Sequence, residues 1–240
     1  MVLAVIPARY PSVRLPGKAL ADIGGRPMVV RVWERVRRVP GVDRVVVATD
    51  DGRIADAVGG VGGEVVLTGV CASGTDRVAA AVASLGLVPR IVVNVQGDEP
   101  LVDPAAVAAV VAGVDDIHPI ATGATPLEGD PQDPARVKVV TDHRGAALYF
   151  SRRAIPSAGP WRLHVGLYAF TAAALRAVAA LPPSSLELSE SLEQLRWLEA
   201  GWRIRVVPLP EPFPSVDTPA DLERIRALWA RLPPSSPGAS

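Results

Sequence analysis

The first half of the chain alternates short apolar runs, rich in valine and isoleucine, with segments whose apolar residues recur at helical spacing. The apolar runs predict strands at 2–7, 44–49, 64–67 and 90–96, and the segments between them predict helices at 28–39, 51–58, 75–85 and from 103 onward. Continuous apolar strands are typical of a parallel sheet that is covered on both faces. Because strand–helix–strand connections are short and right-handed, this alternation predicts a three-layer α/β fold on a mostly parallel, Rossmann-like sheet.

The second half of the chain is less regular. It predicts strands at 136–141, 146–151, 164–171 and 203–207, a helix at 186–200 and a last helix that begins at 218–219. Three short strands in succession predict a small antiparallel insertion. We therefore expect one domain over residues 1–231, with a core of about 1–125 and 163–231 and a β insertion of about 126–162. Residues 232–240 are small, polar and proline-rich, and predict a flexible tail.

Composition excludes several classes of protein. Hydrophobic residues make up 49% and charged residues 21% of the chain, which excludes an intrinsically disordered protein. Lys+Arg and Asp+Glu each number 25, so there is no basic surplus for sequence-independent binding to nucleic acid. A single cysteine excludes a disulfide framework. No apolar run approaches the ~20 residues of a membrane span, and no signal peptide is evident, so we expect a soluble cytoplasmic protein with no membrane partner.

The loop after the first predicted strand carries the sequence ARYPSVRLPGK at residues 8–18. It places Arg9, Arg14 and Lys18 beyond the carboxyl end of a strand, where parallel sheets bind ligands. Of the 25 basic residues only Lys18 and Lys138 are lysine, and a compact ammonium suits a phosphate group as a point charge. The loop matches neither a Walker A loop nor a dinucleotide fingerprint. From its charges alone it is either a triphosphate site or a solvated basic loop.

Two acidic residues are candidate metal ligands. Asp98 follows a buried strand in the turn QGDEP, and Asp217 lies in a proline-flanked turn before the last helix. Two carboxylates are a typical protein contribution to a Mg²⁺ site, the other ligands being water and substrate phosphate. From the residues alone, Asp217 could equally be a residue that only precedes a helix.

Motifs in order along residues 2 to about 230 resemble one family. The chain resembles the nucleotidyltransferases that activate sugars and, more narrowly, the cytidylyltransferases for the sugar acid 3-deoxy-manno-octulosonate. The matching segments are IPARY at 6–10, RLPGK at 14–18, VATD at 47–50, SGTDR at 73–77, VNVQGDEP at 93–100, VKVV at 137–140, ALYFSR at 147–152, LEQLR at 192–196 and VDTP at 216–219.

The resemblance implies a CTP site and a Mg²⁺ cofactor. It implies that Asp98 and Asp217 bind Mg²⁺, and that Arg9, Arg14 and Lys18 act with Asp98 in catalysis by offsetting the charge that grows on pyrophosphate. The implied nucleotide-binding residues are Ala8, Arg9, Lys18, Ser73, Gly74, Thr75, Arg77 and Gln96. We also expect Ser73 or Thr75 to cap the helix that follows.

On the sugar-acid side the resemblance implies binding by Arg152, His164, Tyr168, Glu193 and Gln194. From the residues alone these five would be ordinary surface polar groups. His164 and Tyr168 are four apart on a predicted strand, so we expect them on one face. A direct ligand role is less favoured for Lys138 than for Lys18. We expect His118 and His143 in surface turns and no histidine as an obligatory base.

The activity that the resemblance implies is transfer of CMP from CTP to 3-deoxy-D-manno-octulosonate by a homodimer that supplies lipopolysaccharide assembly. Two alternatives stay open at this point. One is a cytidylyltransferase for another sugar acid, such as sialic acid, and the other is a non-catalytic nucleotide-binding protein. A nicotinamide dehydrogenase is disfavoured because no glycine fingerprint follows a strand.

Overall fold

A computed structural model describes residues 1–232. Residues 233–240, nearly all of the predicted flexible tail, lie outside the described residues. The strands are β1 (Val2–Ala8), β2 (Asp22–Ile23), β3 (Arg26–Pro27), β4 (Arg44–Thr49), β5 (Glu64–Leu67), β6 (Ile91–Asn94), β7 (Ile120–Pro126), β8 (Lys138–Thr141), β9 (Ala147–Ser151), β10 (Arg162–Thr171) and β11 (Ile204–Pro208). The helices are α1 (Met28–Val36), α2 (Gly52–Gly59), α3 (Gly74–Ser84), α4 (Pro104–Ala112), α5 (Ala172–Ala179), α6 (Ser185–Glu190), α7 (Gln194–Glu199) and α8 (Pro219–Trp229), with a 3₁₀ turn at Lys18–Leu20.

One large sheet organises the described residues. Its strands follow the order β11-β7-β10-β6-β1-β4-β5, with β8 and β9 joined to β10. Strands β6, β1, β4 and β5 are mutually parallel, β11 is parallel to β7, and β10 runs antiparallel between β6 and β7. The antiparallel β8–β9 pair meets β10 where Lys138 lies opposite Leu163. The predicted α/β fold, mostly parallel with a small antiparallel insertion, is confirmed; the predicted domain bounds stay a prediction.

Strand β1 shows why the fold has three layers. Val2, Ala4 and Ile6 face a core that includes residues of α1, α2 and α4. Leu3 and Val5 face a second core that includes residues of α3, α5 and α7. Because successive side chains of a strand point to opposite faces, an all-apolar strand is stable only when helices cover both faces. Both cores are therefore already encoded in the run VLAVIPA.

Helix starts along the chain follow their capping residues. The side chains of Asp51, Ser73, Asp103 and Thr218 accept hydrogen bonds from the first turns of α2, α3, α4 and α8. These caps fix where each strand-to-helix loop ends. Because strands β1, β4, β5 and β6 are parallel, their carboxyl ends lie at one edge of the sheet.

The single helix predicted over 186–200 is wrong. The segment forms α6 and α7, separated by Ser191 in a left-handed conformation with φ 52°. Ser184 and Glu187 form a capping box at the start of α6. The break has a tertiary cause, because Arg152 donates to the carbonyl oxygens of Glu190 (Nε, 2.8 Å) and Ser191 (Nη2, 3.1 Å). These contacts favour a turn at a point where the helical periodicity is uninterrupted.

Two elements have no strong sequence signal. Strand β7 reads IATGATP, and its small and hydroxyl side chains conceal a strand buried along nearly its whole length. Helix α5 is short and alanine-rich, and directly follows β10 at the Thr171 cap. Strand β7 is positioned by its pairing with β10 and β11, and α5 is positioned by its packing against α3 and β10.

Ser191 offers a test of the break between α6 and α7. A left-handed conformation costs a residue other than glycine about 1 kcal/mol. Ser191→Gly should therefore raise the free energy of unfolding by about 0.5–1 kcal/mol, and Ser191→Val should lower it by about 1 kcal/mol. Both variants keep the backbone N–H that residue 191 donates to the Glu187 carbonyl. Urea unfolding measures the difference; identical midpoints for the two variants would contradict the assigned backbone conformation.

Candidate functional site

A cavity of about 430 Å³ lies at the carboxyl ends of the parallel strands. Its walls come from the loop after β1, the loop after β5, the turn after β6 and the segment before α8. Residues predicted to bind nucleotide or metal line it, namely Ala8, Arg9, Arg14, Lys18, Ser73, Gly74, Arg77, Gln96, Asp98 and Asp217. Sequence positions more than two hundred residues apart thus meet in one place.

Lys18 lines this cavity, and its ammonium contacts both acidic residues. Its Nζ donates to Asp98 Oδ2 at 2.6 Å, to Asp217 Oδ1 at 3.0 Å and to the Val216 carbonyl at 3.1 Å. Burial lowers the pKa of Lys18, but the attraction of Asp98 and Asp217 exceeds this effect, and the net pKa lies above its ordinary value. The ammonium is therefore charged and bound by both predicted metal ligands.

Backbone geometry holds these groups in place. Gly17 adopts a φ of +69°, which lets the chain turn into the 3₁₀ turn that begins at Lys18. The Val216 N–H donates to the Asp98 carbonyl at 2.9 Å, which ties the segment before α8 to the turn after β6. At Gly97 a Cβ would lie 2.8 Å from the Pro7 carbonyl oxygen, so this turn can approach β1 only without a side chain.

Two further cations lie toward solvent. Arg14 pairs with Asp217 at 3.0 Å (Nη2 to Oδ1) and its side chain is 65% exposed. Arg9 lines the same cavity and is also exposed. Cations on an open rim can move toward a polyphosphate, and exposed pairs of this kind contribute little to stability.

Most polar side chains of the predicted nucleotide-binding segment 73–77 form hydrogen bonds within the protein. Ser73 caps α3 in a capping box with Asp76, as expected for Ser73 or Thr75. The Thr75 hydroxyl donates to Glu193 Oε2 at 2.6 Å. The buried Arg77 guanidinium donates to Asp50 Oδ2 at 2.7 Å and Thr68 Oγ1 at 2.6 Å. Gly74 and the Gln96 amide face the cavity, and Gln96 Nε2 also donates to the Gly166 carbonyl at 3.3 Å.

The five residues predicted on the sugar-acid side lie outside the lining of that cavity. His164 and Tyr168 share a face of β10, with ring centroids 5.5 Å apart. Their partners on β7, Ala124 and Thr122, are two residues apart, so both side chains point to the same face despite the irregularity in β10. Gln194 is buried at the start of α7, next to Glu193. The Thr75–Glu193 and Gln96–Gly166 hydrogen bonds join this side to the nucleotide side.

Arg152 has a structural role that its sequence did not indicate. Its guanidinium donates to three backbone carbonyls, those of Pro134, Glu190 and Ser191. A guanidinium has five N–H donors, so two remain for a ligand. The fully buried Lys138 donates from Nζ to the Arg152 carbonyl at 2.6 Å and to the Asp133 carbonyl at 3.0 Å. It therefore fixes the backbone on either side of the Arg152 contacts, at residues 133 and 152.

Several titratable groups lie in unusual surroundings. Burial raises the pKa of Glu99, directly after Asp98, to about 8, and the Asp98 charge adds to the effect. Sequence reasoning did not single out Glu99, because nothing in the turn QGDEP shows which of its carboxylates points inward.

The histidines differ in their surroundings. Burial lowers the pKa of His164 to about 3 and raises that of the neighbouring Tyr168. His118, expected at the surface, is buried with Nδ1 3.0 Å from Asp115 Oδ1, so that prediction is wrong.

The donor set at Asp98 and Asp217 suits a divalent metal. Two carboxylate oxygens and a backbone carbonyl converge on one cationic atom, and oxygens are the ligands that Mg²⁺ prefers. No group of three or more His, Cys, Asp or Glu in the part of the chain that the structure describes could hold a metal by itself. A metal at this point would therefore complete its coordination with water and substrate.

Comparison with known proteins identifies the class to which this fold and site belong. A family model described as cytidylyltransferase matches residues 3–204. A relative from Anaeromyxobacter sp. (strain Fw109-5), named 3-deoxy-manno-octulosonate cytidylyltransferase, is 50% identical over 239 residues, which cover 97% of this chain and 98% of the relative. A relative of the same name from Syntrophotalea carbinolica is 49% identical over 246 residues, covering 94% and 97%.

A solved structure extends the likeness to three dimensions. The structure of CMP:2-keto-3-deoxy-manno-octonic acid synthetase complexed with CTP superposes with a TM-score of 0.92 at 43% identity, covering 96% of this chain and 98% of that one. The chain is therefore a cytidylyltransferase. Within that class it belongs to the 3-deoxy-manno-octulosonate cytidylyltransferase family. Within residues 1–232 no helix combines the length and apolar character that crossing a membrane requires.

The environment of His164 predicts a pH dependence of stability. The unfolded chain binds a proton at His164 below about pH 6.5, whereas the folded protein does not until about pH 3. Stability should therefore fall as the pH drops from 6.5 toward 3. His164→Gln should lose less stability than the wild type between pH 7 and 4.5 in urea titrations. The exposed His143→Gln is the matched control and should follow the wild type; parallel curves for all three proteins would contradict the assigned burial.

Proposed function

We propose that the protein transfers CMP from CTP to 3-deoxy-D-manno-octulosonate, giving CMP-3-deoxy-D-manno-octulosonate and pyrophosphate, as one step in lipopolysaccharide biosynthesis. The observation that carries the proposal is the cavity in which Lys18, Asp98 and Asp217 meet beneath Arg9 and Arg14. The family membership supports the nucleotide and the sugar acid. Dependence on Mg²⁺, a cytoplasmic location and a homodimer belong to the same proposal.

The reaction needs positioning and charge compensation more than covalent chemistry. The 2-hydroxyl oxygen of the sugar acid forms a bond to the α-phosphorus of CTP, the bond from that phosphorus to the bridging oxygen breaks, and pyrophosphate leaves; the hydroxyl proton goes to solvent. Negative charge grows on the leaving pyrophosphate, where Arg9, Arg14 and Lys18 can offset it. Once these cations contact the bound triphosphate, they lower the barrier by stabilising the charge that develops in the transition state.

Asp98 and Asp217 would hold Mg²⁺. When bound there, the ion would neutralise charge on the phosphates and favour ionisation of the attacking hydroxyl. This role is supported by the fixed position of the Asp98 turn, which Gly97 and the hydrogen bond from the Val216 N–H to the Asp98 carbonyl hold against its neighbours. Both carboxylates line the cavity, so the substrate phosphates can reach them.

For the nucleotide base we propose Ser73, Gly74 and Gln96 as the direct contacts, with Ala8 beside them, because these groups line the cavity. Thr75 does not line the cavity and would position the loop through its bond to Glu193. Arg77 also lines the cavity, and only two of its five N–H donors are bonded, to Thr68 and Asp50. An amide left without its partner by the wrong base would lose a hydrogen bond in a partly buried place, which favours cytosine over other bases.

For the sugar acid we propose Arg152, His164, Tyr168, Glu193 and Gln194, which lie outside the lining of the nucleotide cavity. Arg152 retains two N–H donors, enough to bind the carboxylate of the substrate. His164 is neutral at pH 7 because burial depresses its pKa, so it would interact with sugar hydroxyls and not as a cation. Binding of the sugar here would place it next to the nucleotide through the Thr75–Glu193 and Gln96–Gly166 contacts.

Release of pyrophosphate tests the function. The purified protein with Mg²⁺ should release pyrophosphate from CTP plus 3-deoxy-D-manno-octulosonate, and at least about tenfold more slowly from ATP, GTP or UTP, a discrimination worth ~1.4 kcal/mol. Faster turnover with sialic acid would favour the alternative sugar acid. Binding of CTP without release of pyrophosphate by any sugar acid would identify a nucleotide-binding protein without this activity.

A matched pair of variants tests the site. Asp98→Asn keeps the shape of the side chain and removes its charge, and it should lower kcat by roughly a hundredfold or more. Asp103→Asn makes the same chemical change at the cap of α4, outside the cavity, where asparagine caps equally well. It should keep the wild-type rate. Equal rates for both variants at saturating Mg²⁺ would contradict a role for Asp98 in the reaction.

A further inference from the structure

The contacts of Lys18 resemble those of a bound metal ion. Three oxygens surround Nζ, from Asp98 at 2.6 Å, Asp217 at 3.0 Å and Val216 at 3.1 Å. The side chain of Lys18 is only 18% exposed, whereas Arg14, the other cation on Asp217, is 65% exposed. The ammonium thus occupies the inner position between the two carboxylates.

The two carboxylates have little freedom to separate. The Val216 N–H is bonded to the Asp98 carbonyl, and the same segment continues into α8 through the cap at Thr218. Gly97 holds the Asp98 turn against β1. A metal ion can therefore take the position between Asp98 and Asp217 only if the ammonium leaves, because Nζ already fills the space among the three oxygens at 2.6, 3.0 and 3.1 Å.

The presence of lysine at position 18 is consistent with exchange of its ammonium for a metal ion. The chain uses arginine at almost every basic position, yet a lysine stands at position 18. A guanidinium is a flat, rigid fork, whereas an ammonium is a compact point charge on a flexible stem. An ammonium can therefore both take the place of an ion and swing away to a phosphate.

We propose that the Lys18 ammonium occupies the divalent-cation position between Asp98 and Asp217 while the enzyme is free of nucleotide, and that the triphosphate draws it away. This inference rests on the proposed function and deepens it. Lys18 then has two partners in succession, first the carboxylates and then the phosphates. Its consequence is that a divalent cation binds weakly before the nucleotide and much more tightly with it.

Binding of Mn²⁺ without nucleotide tests the inference. Electron paramagnetic resonance titration of the full chain, with Mn²⁺ as the probe, should give at least about tenfold tighter binding to Lys18→Met than to the wild type, which corresponds to ~1.4 kcal/mol. Arg9→Met is the matched control, since it removes one positive charge from the same cavity at a residue with no ion pair among those of the described residues. It should change the affinity by no more than about twofold.

A double variant shows where the ion binds. Lys18→Met with Asp98→Asn should lose the gain in Mn²⁺ affinity, because one of the two carboxylates is then uncharged. The inference is overturned if Lys18→Met binds Mn²⁺ no more tightly than the wild type, if Arg9→Met gains as much, or if the double variant keeps the gain. Lys18→Gln provides a second neutral side chain should methionine prevent folding, which circular dichroism would report.

This experiment separates the inference from the proposed function. Release of pyrophosphate by the wild type tests the reaction and does not depend on which cation lies between the carboxylates beforehand. A wild type that releases pyrophosphate, together with a Lys18→Met variant that shows no gain in Mn²⁺ affinity, would remove the inference and leave the function. A wild type without turnover would remove the function, whatever the Mn²⁺ titrations show.

Discussion

The structure depends on the pairing of one half-buried ammonium with two carboxylates at the open edge of the sheet. Lys18 comes from the loop after β1, Asp98 from the turn after β6 and Asp217 from the segment before α8. Without the ammonium, two like charges would face each other across a partly buried gap, which is unfavourable. The ion pair therefore brings together three distant parts of the chain and keeps a cation site ready for use.

The other side of the site depends on a separate set of contacts. Lys138 and Arg152 use backbone carbonyls to fix three segments, around 133–134, 152 and 190–191, and the Glu190 carboxylate accepts from the Ser151 hydroxyl and the Arg152 N–H. Both side chains bind backbone carbonyls of other segments, and these contacts cannot be predicted from the local sequence. Such networks rigidify a site when every member is satisfied. The Thr75–Glu193 hydrogen bond then couples this region to the nucleotide loop.

Local patterns predicted the first half of the fold well because each strand and helix there carries its own signals. The bounds of β4 and β5 match the predicted ones, and α4 begins where a helix was predicted, with Asp103 as its cap. In the second half tertiary contacts decide. Arg152 breaks the helix at Ser191, and β7 is a buried strand of small residues whose neighbours define it.

The candidate site also has a part that could be predicted from local patterns and a part that depends on tertiary contacts. The cations of the loop after β1 and Asp98 were predictable, because the carboxyl ends of parallel strands meet at one edge. Asp217 was predicted only through the family resemblance. That Lys18 would bind both acids, that Arg77 would pair with Asp50 and that Arg152 would hold backbone carbonyls was not predictable, because these contacts join residues far apart in sequence. His118 was misjudged for a related reason: a turn-like sequence does not reveal the Asp115 carboxylate and the Arg205 guanidinium that pack against its ring.

The most direct measurement is a crystal structure of the protein with CTP and Mn²⁺, read by anomalous scattering at the manganese edge. We expect a manganese peak within bonding distance of both Asp98 and Asp217, and Lys18 Nζ within hydrogen-bond distance of a phosphate oxygen of CTP. A structure in which CTP and Mn²⁺ are bound while Lys18 still bridges the two carboxylates would contradict it.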